Sequence, residues 1–189
     1  MILPKVRDPR LVTIRRGGLL TDPDHHLLAL WAAACAEHVL DLFEAECPSD
    51  LRPRHAIAGA RAWAAGELAM MQSRAAGGHA MGAARPLSGA ARFAAYAAGQ
   101  AACIPHVPEH DLGAAAYAIK AAQAAAAAGD DAEAAARREC QWQLDQLPDP
   151  IRALVLDDQA RRNPICWSVF TEPGPLAAGP THPSGGLQR

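Results

Sequence analysis

Between Ala114 and Ala128, eleven of fifteen residues are alanine, and this run constrains the fold more than any other feature. Alanine loses no side-chain entropy in a helix, and β-branched residues, which favour strands, are sparse along the chain. The pattern predicts an all-α protein whose helices approach closely around a core thin in large side chains. Trp31, Trp63, Trp142, Trp167, Phe43, Phe93 and Phe170 are its expected anchors. The alanine run is not read as a membrane span. Lys120 and Gln123 interrupt it, and alanine is too weakly apolar to drive insertion.

A length of 189 residues suits one domain with a real core. The net charge of -2 comes without a large block of one sign, which disfavours nucleic acid as a partner. Five widely spaced cysteines, Cys35, Cys47, Cys103, Cys140 and Cys166, form no CxxC pair. The N-terminal "MILPKVRDPR" has no apolar leader run. A reduced, cytoplasmic protein with buried thiols is the expectation.

Residues 1–20 are predicted as an extended arm, punctuated by Pro4, Pro9 and Gly17-Gly18. Thr21 then caps a first helix with Asp22 and Asp24 at its positive end, expected to run to about Ala45. His38 falls on its buried stripe, where a satisfied core histidine is the ordinary outcome. A second helix is expected from about Pro53 to Arg74, ended by Gly77-Gly78. A third follows Pro86, with Ala91, Ala95, Gly99 and Cys103 as a row of small residues that admits a neighbouring backbone. A fourth runs to Gly129, a fifth from Asp130 to Pro148, and a short sixth to Asn163-Pro164. The reading is a compact bundle of five to seven helices over residues 1–170. Residues 171–189, with four prolines and four glycines, form a predicted disordered tail.

No GxxxxGK[ST], GxGxxG, HExxH, GxSxG or zinc-ligand pattern occurs. One constellation remains, around "CIPHVPEHDLG". His106 and His110 lie four residues apart beside Glu109 and Asp111, and His79 and Glu67 could join them from other helices. Pro108, Glu109 and Asp111 are explained by helix initiation, with proline early and acids at the positive dipole end; the histidines are not. His79, His106 and His110 are therefore the candidate metal ligands. Together with Glu67 and Asp111 they are the candidate acid–base groups, and His38 and Asp157-Asp158 are more distant additions. Cys103, on the small-residue row, reads as an inert buried thiol rather than a nucleophile. Glu37, Asp41 and Glu44 lead the longest acidic run, which is a solvated helix face or a docking surface for a basic partner.

Five segments, "LPKVRDPR…VTIRRGG", "HHLLALWAAACAEHVLDLFE", "RPRHAIAGARAWAAGE", "HVPEHDLGAAAYAIKAA" and "IRALVLDDQARRNPICWSVF", carry a resemblance across about residues 3–170. In this order they resemble the putative immunity protein family of bacterial polymorphic toxin systems, in an all-α, actinobacterial-type form. The family's most recognisable segment has the form HELGAAAYAIKA, and here it reads "HDLGAAAYAIKA". The resemblance implies a cognate toxin as partner, bound stoichiometrically and occluded, with no cofactor and no catalytic residues carried over. Self-association is left open. The alternative is a small helical enzyme, acid–base or dependent on a divalent metal and working in specialised metabolism, with the histidines in its pocket. A structural scaffold is the third reading.

Overall fold

Thr21 starts the first helix as its sequence suggests: its hydroxyl accepts the Asp24 amide hydrogen at 3.2 Å, and Pro23 sits in the first turn. The computed structural model describes residues 3–126 and 131–171, and among them there are eight α-helices and no strands. They are α1 (Asp22–His38), α2 (Leu40–Glu44), α3 (Arg52–Ala64), α4 (Met70–Ala84), α5 (Gly89–Cys103), α6 (Asp111–Ala125), α7 (Ala132–Asp145) and α8 (Asp149–Arg162). The all-α bundle is the predicted class. The proposed ends at Gly129 and Asp130, and the tail beyond residue 171, lie outside the described residues.

Two helices expected to be continuous are each split. At Val39 the backbone leaves helical geometry, and the Leu42 amide is drawn to the side chain of Asp41 at 2.9 Å. A short aspartate that bonds the nearby backbone competes with helix propagation in this way. The second break is at Gly66, whose φ of +78° suits glycine. The Glu67 amide reaches back to the Ala62 carbonyl and the Gly66 amide to that of Trp63, a Schellman termination. Gly77 and Gly78 therefore lie inside α4 instead of ending a helix.

The bundle is centred on α5, which packs against α1, α2, α3, α4 and α6. Its alanines 94, 95, 97, 98, 101 and 102 are all fully buried. Backbones come close where it crosses α4. A methyl on Gly77 would lie 2.7 Å from the Gly99 carbonyl oxygen, and one on Gly99 would lie 2.9 Å from that of Gly77. The large side chains fill what alanine cannot. Trp31, Phe43 and Phe170 are buried, whereas Trp167 is 47 % exposed and does not anchor the core. The adjacent glycines of α4 separate packing from propensity. Gly77→Ala should cost about 1 kcal/mol, because overpacking against backbone outweighs the gain in helix propensity. Gly78→Ala, with no atom within 4 Å of its new methyl, should gain about 0.5–1 kcal/mol. Urea unfolding of the two variants should move in opposite directions.

The N-terminal arm carries two short 3-10 turns, Pro9–Leu11 and Ile14–Arg16, and a single bridge between Thr13 and Leu20. Leu11 and Leu20 are its buried pegs. Arg7 and Arg10 bind it electrostatically to residues before α6 and on α8 respectively. No helix among the described residues is long and apolar enough to cross a membrane.

Candidate functional site

The suspected polar motif lies where three parts of the chain meet. Pro108–His110 form a 3-10 turn that leads into α6 at Asp111. Glu109, 1 % exposed, accepts the Nε and Nη2 hydrogens of Arg7, both at 2.6 Å. His110 donates from Nδ1 to Gln100 Oε1 on α5 at 2.6 Å. Asp111, fully buried, accepts from its neighbour's amide at 2.6 Å and from Arg162 Nη2 of α8 at 2.8 Å. Arg162 also donates from Nη1 to the Glu109 carbonyl at 2.8 Å and grips Asp158 on its own helix. Each polar residue of "EHD" thus ties the start of α6 to a different segment: the arm, α5 and α8.

Burial sets the protonation of this cluster. It holds the His110 imidazole neutral down to about 4, against a small opposing pull from Glu109. Burial pushes Asp111 up to about 7; Arg162 pulls the other way, while the nearby charge of Asp158 adds to the rise. The two residues therefore carry opposite pH signatures. His110 is protonated more readily when unfolded, so its contribution to stability is lost as pH falls from about 6.5 towards 4. Asp111 is protonated more readily when folded, so its contribution is largest in acid and is lost as pH rises towards 7. Between pH 7 and pH 5, His110→Asn should gain stability relative to the parent, and Asp111→Asn should lose it. Urea midpoints at the two pH values read both slopes.

Beside this cluster lies a cleft of about 440 Å³ between the arm, the first turn of α1, the α3–α4 connection and the α5–α6 connection. The ionisable part of its lining is mainly basic, with Arg7, Arg15, Arg16, His25, His26 and His106 and one acid, Asp22. Some of these are committed. Arg7 is on Glu109, Arg15 is 2.6 Å from Asp22, and His25 bonds the Ile104 carbonyl at 2.9 Å. Among the described residues the Arg16 side chain hydrogen-bonds only the His106 carbonyl, at 3.3 Å, and has no carboxylate partner. His26 meets Trp63 edge-on, with centroids 4.8 Å apart. The Nδ1 of His106 is buried without a partner. Burial, then the charges of Arg74, Arg16 and Arg7, disfavour the protonated ring of His106.

On the other side of the last turn of α3 is a shallow depression of about 460 Å³, floored by Leu40, Ile57 and Ala58. Glu37 of α1 grips Arg61 at 2.6 and 2.7 Å, and Glu44 of α2 grips Arg54 at the same distances. Asp41 is spent on the α2 backbone. The predicted acidic run is thus a surface of paired charges, not a bare negative patch.

The remaining sequence candidates are scattered. His79 is exposed on α4, and Glu67 is exposed at the edge of the α3 depression. Among the described residues, no three His, Cys, Asp or Glu side chains are placed to share a metal ion. Thus His79, His106 and His110 do not form such a group. Cys103 is buried on α5, and burial raises its thiol pKa. Asp157 pairs with Arg10 and Arg161. His38 is not on the buried stripe expected of it: its side chain is 41 % exposed, donates to the buried Glu139 at 2.7 Å and stacks on Trp142 with centroids 3.7 Å apart. Sequence reasoning did not single out Gln100, Arg162 or the arm–α1 cleft. Asp158 and Arg162, one helical turn apart, carried a readable ion-pair signal. Nothing in the sequence pointed to Gln100.

The family model described as Imm-5 like putative immunity protein matches residues 18–150. No curated protein and no solved structure matches the chain.

Proposed function

The chain belongs to the Imm-5 like putative immunity protein family, and we propose that it neutralises a cognate toxin by stoichiometric binding and occlusion. The supporting observation is the fate of the suspected chemical groups. His110 and Asp111, two of the candidate acid–base groups, and their neighbour Glu109 are each held in a tie between segments. Groups spent in this way build a rigid scaffold and leave recognition to the surface.

The α1–α3 face suits that role. Glu37 and Glu44 pair with arginines that are about half exposed, and exposed pairs of this kind contribute little to stability. A basic partner can take over these carboxylates at small cost to the fold, and Asp41 adds to the field that steers its approach. The exposed Ala58 and Ala65 supply apolar area on this face.

The test is co-expression with the product of the neighbouring gene, followed by light scattering of the purified mixture. A one-to-one complex and restored growth are expected. Glu37→Arg with Glu44→Arg should slow association about tenfold or more at low salt. Absence of any complex, with both proteins folded, would refute the reading.

A further inference from the structure

We infer that the basic cleft between the arm and α1 anchors an acidic segment of the protein partner, a carboxylate seating between Arg16, His26 and His106. This deepens the binding reading above and rests on it.

The cleft is a concentration of positive and imidazole groups on a chain of net charge -2. Much of its charge is already balanced, since Arg7 and Arg15 hold Glu109 and Asp22. What remains uncommitted is one guanidinium and two imidazoles. That set matches a single carboxylate better than a doubly charged phosphate, which calls for more free cations. The guanidinium of Arg16 is steadied at the cleft by its contact with the His106 carbonyl. The unpartnered Nδ1 of His106 favours the neutral tautomer with its proton on Nε2, since an orphan lone pair costs less than an orphan donor. Nε2 is then the donor available to a ligand.

Two further observations favour a protein segment over a free ion. Ile14 and Leu19, on the arm beside Arg15 and Arg16, are 60 % and 66 % exposed, apolar surface on the same arm that a segment longer than a single ion can use. The last turn of α3 also separates the cleft from the α1–α3 depression. Trp63 and Gly66 face the cleft, and Arg61, Ala62 and Ala65 face the depression. One partner can therefore cover both concavities, setting basic groups on Glu37 and Glu44 and an acidic one in the cleft.

Two measurements on the full-length protein test this. In the first, the histidine ring signals are followed by NMR during titration with an end-blocked peptide of alternating glutamate and leucine. The signals of His26 and His106 should shift saturably at millimolar peptide, and the His106 ring should become easier to protonate. Arg16→Glu, at an exposed position, should abolish the shift while leaving the melting temperature unchanged. The inference falls if the parent shows no shift, if the glutamine version of the peptide shifts the rings equally, or if Arg16→Glu responds as the parent does. It falls equally if inorganic phosphate shifts the rings and the peptide does not, which would mark a site for small oxyanions. The second measurement uses the neighbouring-gene product. Arg16→Glu should weaken the complex at least tenfold. A smaller loss removes the cleft from the interface while the immunity reading stands. If the parent forms no complex, the immunity reading fails, and the peptide titration still decides whether the cleft takes carboxylates.

Discussion

Arg162→Met is expected to cost about 3–5 kcal/mol of stability, a large share of what a domain of this size possesses. Arg162 is 4 % exposed, and its guanidinium holds Asp111, Asp158 and the Glu109 carbonyl at once. Replacing it with an apolar side chain of similar length preserves volume but leaves Asp111 buried with no cation. Asp158 fares better because Arg161 still reaches it at 3.2 Å, so most of the cost belongs to Asp111. Arg162→Lys should fall between parent and methionine, since a point charge cannot reproduce a planar fork that serves three acceptors. Adding Asp111→Asn to the methionine variant should recover part of the loss, because it removes a carboxyl that, once the arginine's pull is gone, must take up a proton at pH 7 to stay buried. Chemical denaturation at pH 7 reads all three; a loss below about 1 kcal/mol for Arg162→Met would show that the buried ion pairs carry little of the fold.

That arginine also shows where the sequence stopped being legible. Helix content and most helix starts could be read from local signals. Thr21 with its following acids, Pro108 and Asp149-Pro150 each act through neighbours within one turn. The small-residue row on α5 likewise announced a close crossing, although it did not name Gly77 as the opposite face. The splits after His38 and Ala64 interrupt an apolar periodicity that runs on through them, and Asp41 and Gly66 are what break it. Both residues are local breakers whose effect was readable in principle.

The site was less legible for a different reason. Helix initiation does not require His110, and the structure holds its ring on Gln100. What holds it is Gln100, ten residues earlier on α5, and what holds Asp111 is Arg162, 51 residues later. No periodicity encodes such pairings; they follow from the crossing of helices. For the same reason the basic cleft was invisible. Its residues come from the arm, α1, the α3–α4 connection and the α5–α6 connection, and each alone reads as ordinary surface.

Gly113→Ala, a single added methyl, should cost about 2 kcal/mol by dislodging a hydrogen bond three residues away in sequence. A Cβ at this position would lie 3.0 Å from Gln100 Cδ and closer still to Oε1. Backbone does not stand in the way, so the amide must swing aside, and it then releases the Nδ1 hydrogen of His110 at a half-buried position. The penalty is the loss of that bond with its donor stranded, plus overpacking, less the helix-propensity gain of alanine. The cause can be separated from simple crowding by a double-mutant cycle. Gln100→Ala alone should also destabilise, by about 1–2 kcal/mol, because it strands the same donor. In that background the methyl of Gly113→Ala meets no amide, and its cost should largely vanish. If the two losses instead add, Gly113 is needed for some other close approach, and the glycine, glutamine and histidine do not act as a unit. The cycle thus asks why glycine stands in "HDLG": the geometry says that it clears the space for the side chain that holds the histidine.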